Sequence, residues 1–170
     1  MAASRGYERV ARLLLAADHF NPSQPDGSGQ RPLWWACING DEGMVRQLLA
    51  RDNVNADEPD DCDRTPLWWA SHRGHEGVVR LLLTREDVNP DKPDNYGAAP
   101  LSQASMNGHA EVVKLLLVND NVNPDKPDNR GQTPLWGASR IGNEGIVRLL
   151  LAKVCVDPDK QNQHDLTPLR

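Results

Sequence analysis

The amino-acid sequence predicts a mainly α-helical solenoid of stacked helix-turn-helix units with projecting hairpin loops and a 34-residue period. Three markers recur at this spacing without a gap. Pro-Leu pairs stand at Pro32-Leu33, Pro66-Leu67, Pro100-Leu101, Pro134-Leu135 and Pro168-Leu169. Glycines stand at Gly6, Gly40, Gly74, Gly108 and Gly142, and Leu-Leu pairs at Leu14, Leu48, Leu82, Leu116 and Leu150. A constant period of this length indicates repeats that each pack only against their neighbours.

The period divides the chain into one continuous array. Each unit is taken to open at its acidic turn. The expected units are a partial N-terminal unit at 1–25, complete units at 26–59, 60–93, 94–127 and 128–161, and a partial C-terminal unit at 162–170.

The unit 60–93 predicts a short first helix that begins at Thr65 and Pro66. Threonine can cap the free N–H groups of a helix, and proline suits the first helical position. Small and apolar side chains then share one face at helical spacing, which predicts the core side. These residues are Leu67, Ala70, Ser71 and Gly74.

A second helix is expected to follow Gly74, beginning at His75-Glu76, with a broad apolar stripe. The stripe consists of Val78, Val79, Leu81, Leu82 and Leu83. One helix pair cannot bury so wide a stripe, so stacking must supply the core. The segment 89–97 is rich in turn-forming residues, and Asp94 to Gly97 predicts the tip of a hairpin loop.

The stretch TPLWWASHRGHEGVVRLLL at Thr65 to Leu83, followed by Asp87-Val88-Asn89, resembles the ankyrin repeat, whose familiar wording is TPLHxAAxxGHxxVVxLLL and then DVN. The resemblance covers the whole chain. The tetratricopeptide repeat also has a 34-residue period, but its helices are longer and it has no proline-rich loop inside the period. The Trp-Trp motif and the NPDKPDN loop also resemble the ankyrin arrays of fungal NLR-like (NACHT/STAND-type) signalling proteins.

The sequence departs from the ankyrin pattern in two ways. No glycine follows the second helix, so a C-terminal glycine cap is not expected. Tryptophan replaces the histidine that, in the family, ties the first helix to the hairpin, at Trp34, Trp68 and Trp136. Because an indole donates one hydrogen bond and accepts none, that tie must be rebuilt.

Two hairpin turns are also unusual. Asp63 and Asp165 stand where other units have glycine. Glycine adopts positive φ readily and other residues do so at a cost, so these two turns are expected to be strained or of a different type.

Composition disfavours several classes of partner. The formal net charge is −5 and the basic residues are dispersed, which argues against nucleic acid. No apolar segment is long enough for a signal or membrane helix. The three cysteines, Cys37, Cys62 and Cys155, occupy different phases of the repeat and make a poor disulfide framework. These features predict a protein of the reducing cytoplasm that binds neither membrane nor nucleic acid.

No catalytic residue, metal site or cofactor is predicted. His72 and His75 lie three residues apart, but no further ligand stands at zinc spacing, and His75 belongs to the Gly-His turn between helices, as His109 does. The acidic run at 57–63 lacks the central glycine and distant glutamate of an EF-hand, so a solvated acidic hairpin is favoured over a Ca²⁺ site. Phosphate-binding loops and nucleophile motifs are missing, and enzyme activity is not expected.

The candidate binding residues are those that vary between units while the scaffold positions repeat. They lie at hairpin tips and on the outward face of the first helix, which together line the concave groove of an ankyrin array. They are Trp35, Ile38, Asn39, Arg64, Trp69, His72, Arg73, Tyr96, Gln103, Met106, Asn107, Arg130 and Arg140. Tolerant surface positions would vary in the same way. Trp35 and Trp69 favour binding, because exposed tryptophan is costly and is enriched in binding hot spots.

The resemblance implies a non-catalytic protein-interaction module that binds a protein partner in its groove, as the recognition segment of a larger signalling or immune-type receptor. The alternative is a structural spacer in a longer array without a specific ligand. The last helix keeps the apolar stripe of an internal helix, whereas terminal repeats usually have polar outer faces. The sequence therefore predicts a piece of a longer array, whose uncapped C-terminal edge is a candidate surface for self-association.

Overall fold

The structure is a computed structural model that describes residue 24 and residues 31–168. The remaining N-terminal residues, which hold most of the predicted partial unit 1–25, and Leu169 and Arg170 lie outside the described residues. The described part contains eight α-helices and no strand. They are α1 (Pro32–Asn39), α2 (Glu42–Leu49), α3 (Pro66–Arg73), α4 (Glu76–Leu82), α5 (Pro100–Met106), α6 (Ala110–Leu117), α7 (Pro134–Arg140) and α8 (Glu144–Leu151).

The eight helices form two parallel rows. The first helices, α1, α3, α5 and α7, pack side by side, and the second helices, α2, α4, α6 and α8, form the other row. Each first helix also packs on the second helix of its own pair. The predicted all-helical repeat solenoid is confirmed.

The first helices start and stop at the expected residues. Thr65 accepts a hydrogen bond from the Trp68 N–H at 3.1 Å, and Thr133 caps α7 in the same way. Proline occupies the first position of all four first helices. Gly74 ends α3 with a φ of 75°, in the left-handed region that favours glycine.

The second helices end without glycine, as the sequence predicts. Their C-cap residues, Ala50, Leu83, Val118 and Ala152, keep right-handed helical backbone. Cations from the following unit bind some of the free carbonyls instead. Arg85 donates to the Leu49 carbonyl at 3.1 Å, and Lys153 donates to the Leu117 carbonyl at 2.7 Å. A positive charge at a helix C-terminus also suits the helix dipole.

The core is a ribbon between the two rows. Val78, Val79 and Leu82 of α4 are fully buried, whereas Leu81 and Leu83 are half-buried at its edge. Small residues let the first helices approach closely, and one alanine per unit is fully buried in this row. These residues are Ala36, Ala70, Ala104 and Ala138.

The hairpin tips are tight turns held by an aspartate or asparagine side chain. Asp94 Oδ1 accepts the N–H groups of Tyr96 and Ala98 at 3.0 and 2.8 Å. Gly97 follows with a φ of 81°, while Asp63 and Asp165 adopt φ values of 60° and 56°. The expected strain at these two aspartates is therefore confirmed, since both hold a left-handed conformation that costs free energy for a residue with a Cβ.

A lysine in each loop binds the loop of the preceding unit. Lys92, Lys126 and Lys160 each donate to the main-chain carbonyl and the carboxylate of an aspartate 35 residues earlier. The three acceptors are Asp57, Asp91 and Asp125. These ion pairs, together with single backbone hydrogen bonds such as Asn129 N–H to the Tyr96 carbonyl at 2.9 Å, connect successive hairpins.

Tryptophan rebuilds the tie between helix and loop. Trp34 Nε1 donates to the Glu58 carbonyl at 2.8 Å, and Trp68 Nε1 donates to the Ala98 carbonyl at 3.1 Å. Both indoles are buried. Each therefore fills the space beside the hairpin and uses its one donor.

Candidate partner-binding groove

A concavity of about 420 Å³ lies between the first helices and the hairpin tips of the three units from 60 to 161. Six of the thirteen candidate residues line it, namely Arg64, Tyr96, Gln103, Met106, Arg130 and Arg140. Its walls come from three successive units, because residues at one phase of the repeat fall side by side in the stack. The structure thus brings together residues far apart in sequence.

Two hairpin tips contribute exposed side chains to this concavity. Tyr96 is 67% exposed, which makes it one of the most exposed large apolar side chains among the described residues. Arg130 occupies the position one repeat later and is also exposed. At the end of α7, the exposed Arg140 guanidinium lies 5.5 Å from the centre of the Trp136 ring. This spacing is within the range of a cation–π contact.

Trp69 is wedged between side chains of its own unit. The Arg64 guanidinium lies 4.3 Å from its ring centre, and Arg64 Nε binds Asp60 Oδ2 at 2.8 Å. The Trp69 indole donates to the same oxygen at 3.1 Å. Trp69 is therefore half-buried rather than freely exposed, and it helps to fix Arg64 at the groove.

Gln103 is placed differently from the sequence-based expectation. We expected a surface contact residue, but the side chain is only 9% exposed. Its Oε1 lies 3.0 Å from His72 Nδ1, and the His72 ring stacks on Trp68 at 5.1 Å. Because α3 and α5 pack closely, Gln103 fills the space between them. It therefore forms part of the groove floor.

Trp35 also departs from the expectation of an outward-pointing side chain. It is half-buried and packs against the hydrophobic core. Ile38, on the same helix, is half-buried, and its carbonyl accepts a hydrogen bond from His75 Nε2 at 3.0 Å. Neither residue lines the concavity.

Three further candidates lie at the C-terminal ends of first helices. Asn39, Arg73 and Asn107 are exposed, and none of them lines the concavity. Asn39 Nδ2 donates to the Trp35 carbonyl at 2.8 Å, and Asn107 Nδ2 donates to the Gln103 carbonyl at 2.8 Å. Both asparagines thus bind the last turn of their own helix.

Several groove residues escaped the sequence analysis. Trp68 and Trp136 line the concavity although their position predicted only a structural tie, and Asp94, Asp128 and Asn129 line it from the hairpins. The signal was visible for Trp136, since the half-buried ring stands in the same repeat phase as the two buried tryptophans. What differs is its neighbourhood, which the repeat pattern does not encode.

His75 and His109 form hydrogen bonds with main-chain carbonyls and do not converge on a common metal site. His75 Nε2 donates to the Ile38 carbonyl and His109 Nε2 donates to the His72 carbonyl, each at 3.0 Å. They link the ends of successive first helices. Within residues 31–168, no three His, Cys, Asp or Glu side chains are arranged to hold a metal ion.

The acidic run is partly neutralised by bases of the scaffold. Asp57 pairs with Lys92 at 3.1 Å, Asp60 with Arg64 at 2.8 Å, and Glu58 with Arg31 at 3.1 Å. Burial raises the pKa of Asp57, and Lys92 only partly opposes this effect.

The cysteines are free thiols in three different surroundings. Cys37 is buried, Cys62 is half-buried and Cys155 is exposed. Burial raises the pKa of the Cys37 thiol, which makes the thiolate scarce.

None of the helices in the described part of the chain is long and apolar enough to cross a membrane.

The stacked helix pairs and their projecting hairpins define a solenoid repeat protein. The family of ankyrin repeats, in a form with three copies, matches residues 1–94, 47–128 and 78–163. The chain therefore belongs to the ankyrin repeat family. Ankyrin repeats generally mediate protein–protein interaction and are typically not enzymes. No curated protein matches the chain significantly.

Proposed function

We propose that this chain is a non-catalytic interaction module that binds a protein partner in the concave groove. One observation supports this above the others. Six residues chosen for variation between repeats line the same concavity of about 420 Å³, although they come from three units. Their chemistry favours binding over a spacer, because an exposed tyrosine and two exposed arginines stand where a spacer could have uniformly polar side chains.

The exposed chemistry of the groove suits a protein partner. Tyr96, Met106 and Trp136 offer apolar surface, while Gln132, Arg130 and Arg140 offer hydrogen-bond donors beside it. Tyrosine, tryptophan and arginine are enriched where binding energy concentrates. The Trp-Trp motif and the NPDKPDN loop extend the proposal to a recognition segment of a larger cytoplasmic signalling or immune-type receptor, of the kind found in fungal NLR-like proteins.

Affinity purification from cells that express the protein tests groove binding. The bait variant Tyr96→Ala/Met106→Ala removes apolar groove surface without touching a fully buried side chain. Val118→Ala is the matched control, because Val118 is 83% exposed at the end of α6 and does not line the groove. Thermal unfolding of all three baits establishes that each is folded.

We expect a set of proteins that the wild type and Val118→Ala retain and the groove variant loses. If the groove variant retains the same set, binding does not use the groove. If no bait retains a specific protein, the structural spacer is the better description.

A further inference from the structure

Most cations of the described chain are neutralised by its own carboxylates. Ion pairs hold nine of them, and the pairs along the loops are half-buried. These cations are Arg31, Arg64, Arg80, Arg85, Lys92, Lys114, Lys126, Arg148 and Lys160. Such an arrangement is expected in an acidic chain, where carboxylates outnumber bases by 24 to 19.

Two exposed arginines of the groove have no ion pair within residues 31–168. They are Arg130 at the hairpin tip and Arg140 at the end of α7, and both line the same concavity. Within the described residues, the Arg140 guanidinium makes a cation–π contact with the Trp136 ring and no ion pair. Arg46, Arg73 and Lys153 also have no ion pair in the described part of the chain, but they do not line this concavity, whereas Arg130 and Arg140 share it.

The carboxylates in the same wall do not neutralise these arginines. Asp94 is 7% exposed, and its Oδ1 accepts two main-chain N–H groups of its own turn. Asp128 Oδ1 accepts the N–H groups of Arg130 and Gln132, both at 2.8 Å. Each carboxylate thus serves a hairpin turn, while the two guanidinium groups remain available to solvent.

Apolar surface shares the concavity with the two charges. Tyr96, Met106 and the ring of Trp136 line the concavity with Arg130 and Arg140. A guanidinium presents several N–H donors in a plane that matches a carboxylate, and it binds more strongly where neighbouring apolar surface excludes water.

We propose that the groove binds an acidic peptide segment of its partner, with aspartate or glutamate carboxylates on Arg130 and Arg140 and an apolar side chain between Tyr96 and Met106. This inference rests on the proposed function and adds the chemistry of the ligand. Charge complementarity identifies the occupant. A basic segment would place its charges against two unpaired arginines, and a neutral one would leave them desolvated and unpaired.

Selection from a display library of random ten-residue peptides tests the inference with the full chain as bait. The variants Arg130→Ala and Arg140→Ala are compared with Arg46→Ala, and Tyr96→Ala/Met106→Ala reports binding in the groove. Arg46 is an exposed arginine on α2 that also has no ion pair in the described structure, and it lies outside the groove. All side chains changed are exposed or half-buried, and circular dichroism checks that each variant is folded.

We expect enriched peptides rich in Asp and Glu around one apolar residue. Each groove arginine variant should weaken the affinity of such a peptide about tenfold or more. Raising the salt concentration should weaken binding to the wild type, whereas Arg46→Ala should bind as the wild type does.

Enriched peptides that are neutral or basic, but that depend on Tyr96 and Met106, would overturn the acidic ligand and leave the groove function standing. Acidic peptides that bind equally to Arg130→Ala, Arg140→Ala and the wild type would overturn the assigned residues. If the enriched peptides bind all the groove variants as tightly as the wild type, or if no peptide is enriched, both the inference and the proposed function are contradicted.

Discussion

Lys126 reaches back to Asp91 in the preceding loop and binds it twice. Its Nζ lies 2.6 Å from the main-chain oxygen and 3.0 Å from the carboxylate. The pair is shielded from water, with side-chain exposures of 27% and 16%. Because the contact repeats at Lys92 and Lys160, it is a periodic link between hairpins, and each link is a test of how neighbouring units couple.

Lys126→Met should lower the free energy of unfolding by about 2 kcal/mol, because it leaves a half-buried carbonyl and carboxylate without their donor. Urea unfolding measures the change. Lys114→Met is the matched control, since its partner Glu111 is 62% exposed and a surface pair of this kind contributes well under about 1 kcal/mol. Equal losses in the two variants would contradict a structural role for the loop pair.

The sequence predicted the helices and the hairpin turns of each unit better than the lysine–aspartate ion pairs that link successive loops. Helix positions follow from local patterns, such as Thr65-Pro66 at a start and Gly74 at an end. Lys92, Lys126 and Lys160 also recur at 34 residues, so a signal was present in the repeat. However, each lysine directly follows a proline-flanked aspartate in sequence, and only the stacking geometry shows that it binds the aspartate of the preceding unit.

Gly74→Ala should destabilise the fold more than Gly142→Ala. Both glycines have positive φ, 75° and 71°, so an added Cβ costs about 1 kcal/mol at either position. At Gly74 the Cβ would also lie 2.5 Å from His109 Nδ1, whereas nothing lies within 4 Å at Gly142. Displacing His109 would break its bond to the His72 carbonyl. Thermal unfolding of both variants separates the backbone cost from the clash, and equal melting temperatures would show that the His109 contact contributes nothing.

Trp69→Ala should reduce stability as well as binding. The sequence pattern alone predicts a contact residue, whose loss weakens partner binding by about 2 kcal/mol or more and leaves stability nearly unchanged. The half-buried ring supports Arg64 at 4.3 Å and donates to Asp60, so its removal should cost about 2 kcal/mol of folding free energy as well. Chemical unfolding measures the loss. Trp69→Phe keeps the ring and removes the donor, and should recover part of it; a fully stable Trp69→Ala would return Trp69 to the role of a pure contact residue.

The site residues were harder to predict than the fold, because their burial depends on how neighbouring units stack and not on local sequence patterns. Variation between units identified Tyr96, Arg130 and Arg140 at the concavity, because position in the repeat fixes which side of the stack a residue lies on. It did not distinguish Gln103, which is buried because a neighbouring helix covers it. Burial of a variable residue depends on the side chains of the next unit, and the period carries no information about them.

Asp57 should favour folding more as the pH falls. Burial raises its pKa in the folded state, so the folded chain binds a proton more tightly than the unfolded chain does. The stabilising contribution is complete below the ordinary aspartate pKa of about 4 and is lost as the pH rises through the higher folded value. The stability of Asp57→Asn relative to the wild type should therefore rise as the pH increases above about 4. Urea unfolding across this range measures it.

Asp87 provides the opposite sign for comparison. Its hydrogen bond with Arg85 lowers its pKa, so its small contribution is present above the ordinary value and is lost as the pH falls. Asp87→Asn should therefore approach the wild-type stability at low pH. If the Asp57 and Asp87 variants change in the same direction, burial does not dominate the titration of Asp57.

An added repeat at the C-terminal edge should stabilise the array, because the contacts that join units end there without a counterpart in the described structure. Leu151 is 48% exposed, whereas Leu117, one repeat earlier, is 9% exposed beneath the next unit. A copy of residues 103–127 placed after Arg170 would complete one unit and present a lysine to Asp159, as Lys160 is presented to Asp125 at 2.7 Å. Its histidine would stand opposite the Arg140 carbonyl, as His109 stands opposite that of His72.

The extended protein should melt several degrees higher, at about 2–4 °C per kcal/mol gained for a chain of this size. Self-association should fall when the outward apolar positions of the added copy are also made polar, since that unit then covers the apolar edge without presenting a new one. The same extension with its lysine changed to methionine keeps the apolar contact and loses the loop pair, and its melting temperature should lie between the two. An extension that leaves the melting temperature unchanged would show that these periodic contacts do not determine how units join, even though they recur at every internal loop from Asp57 to Lys160.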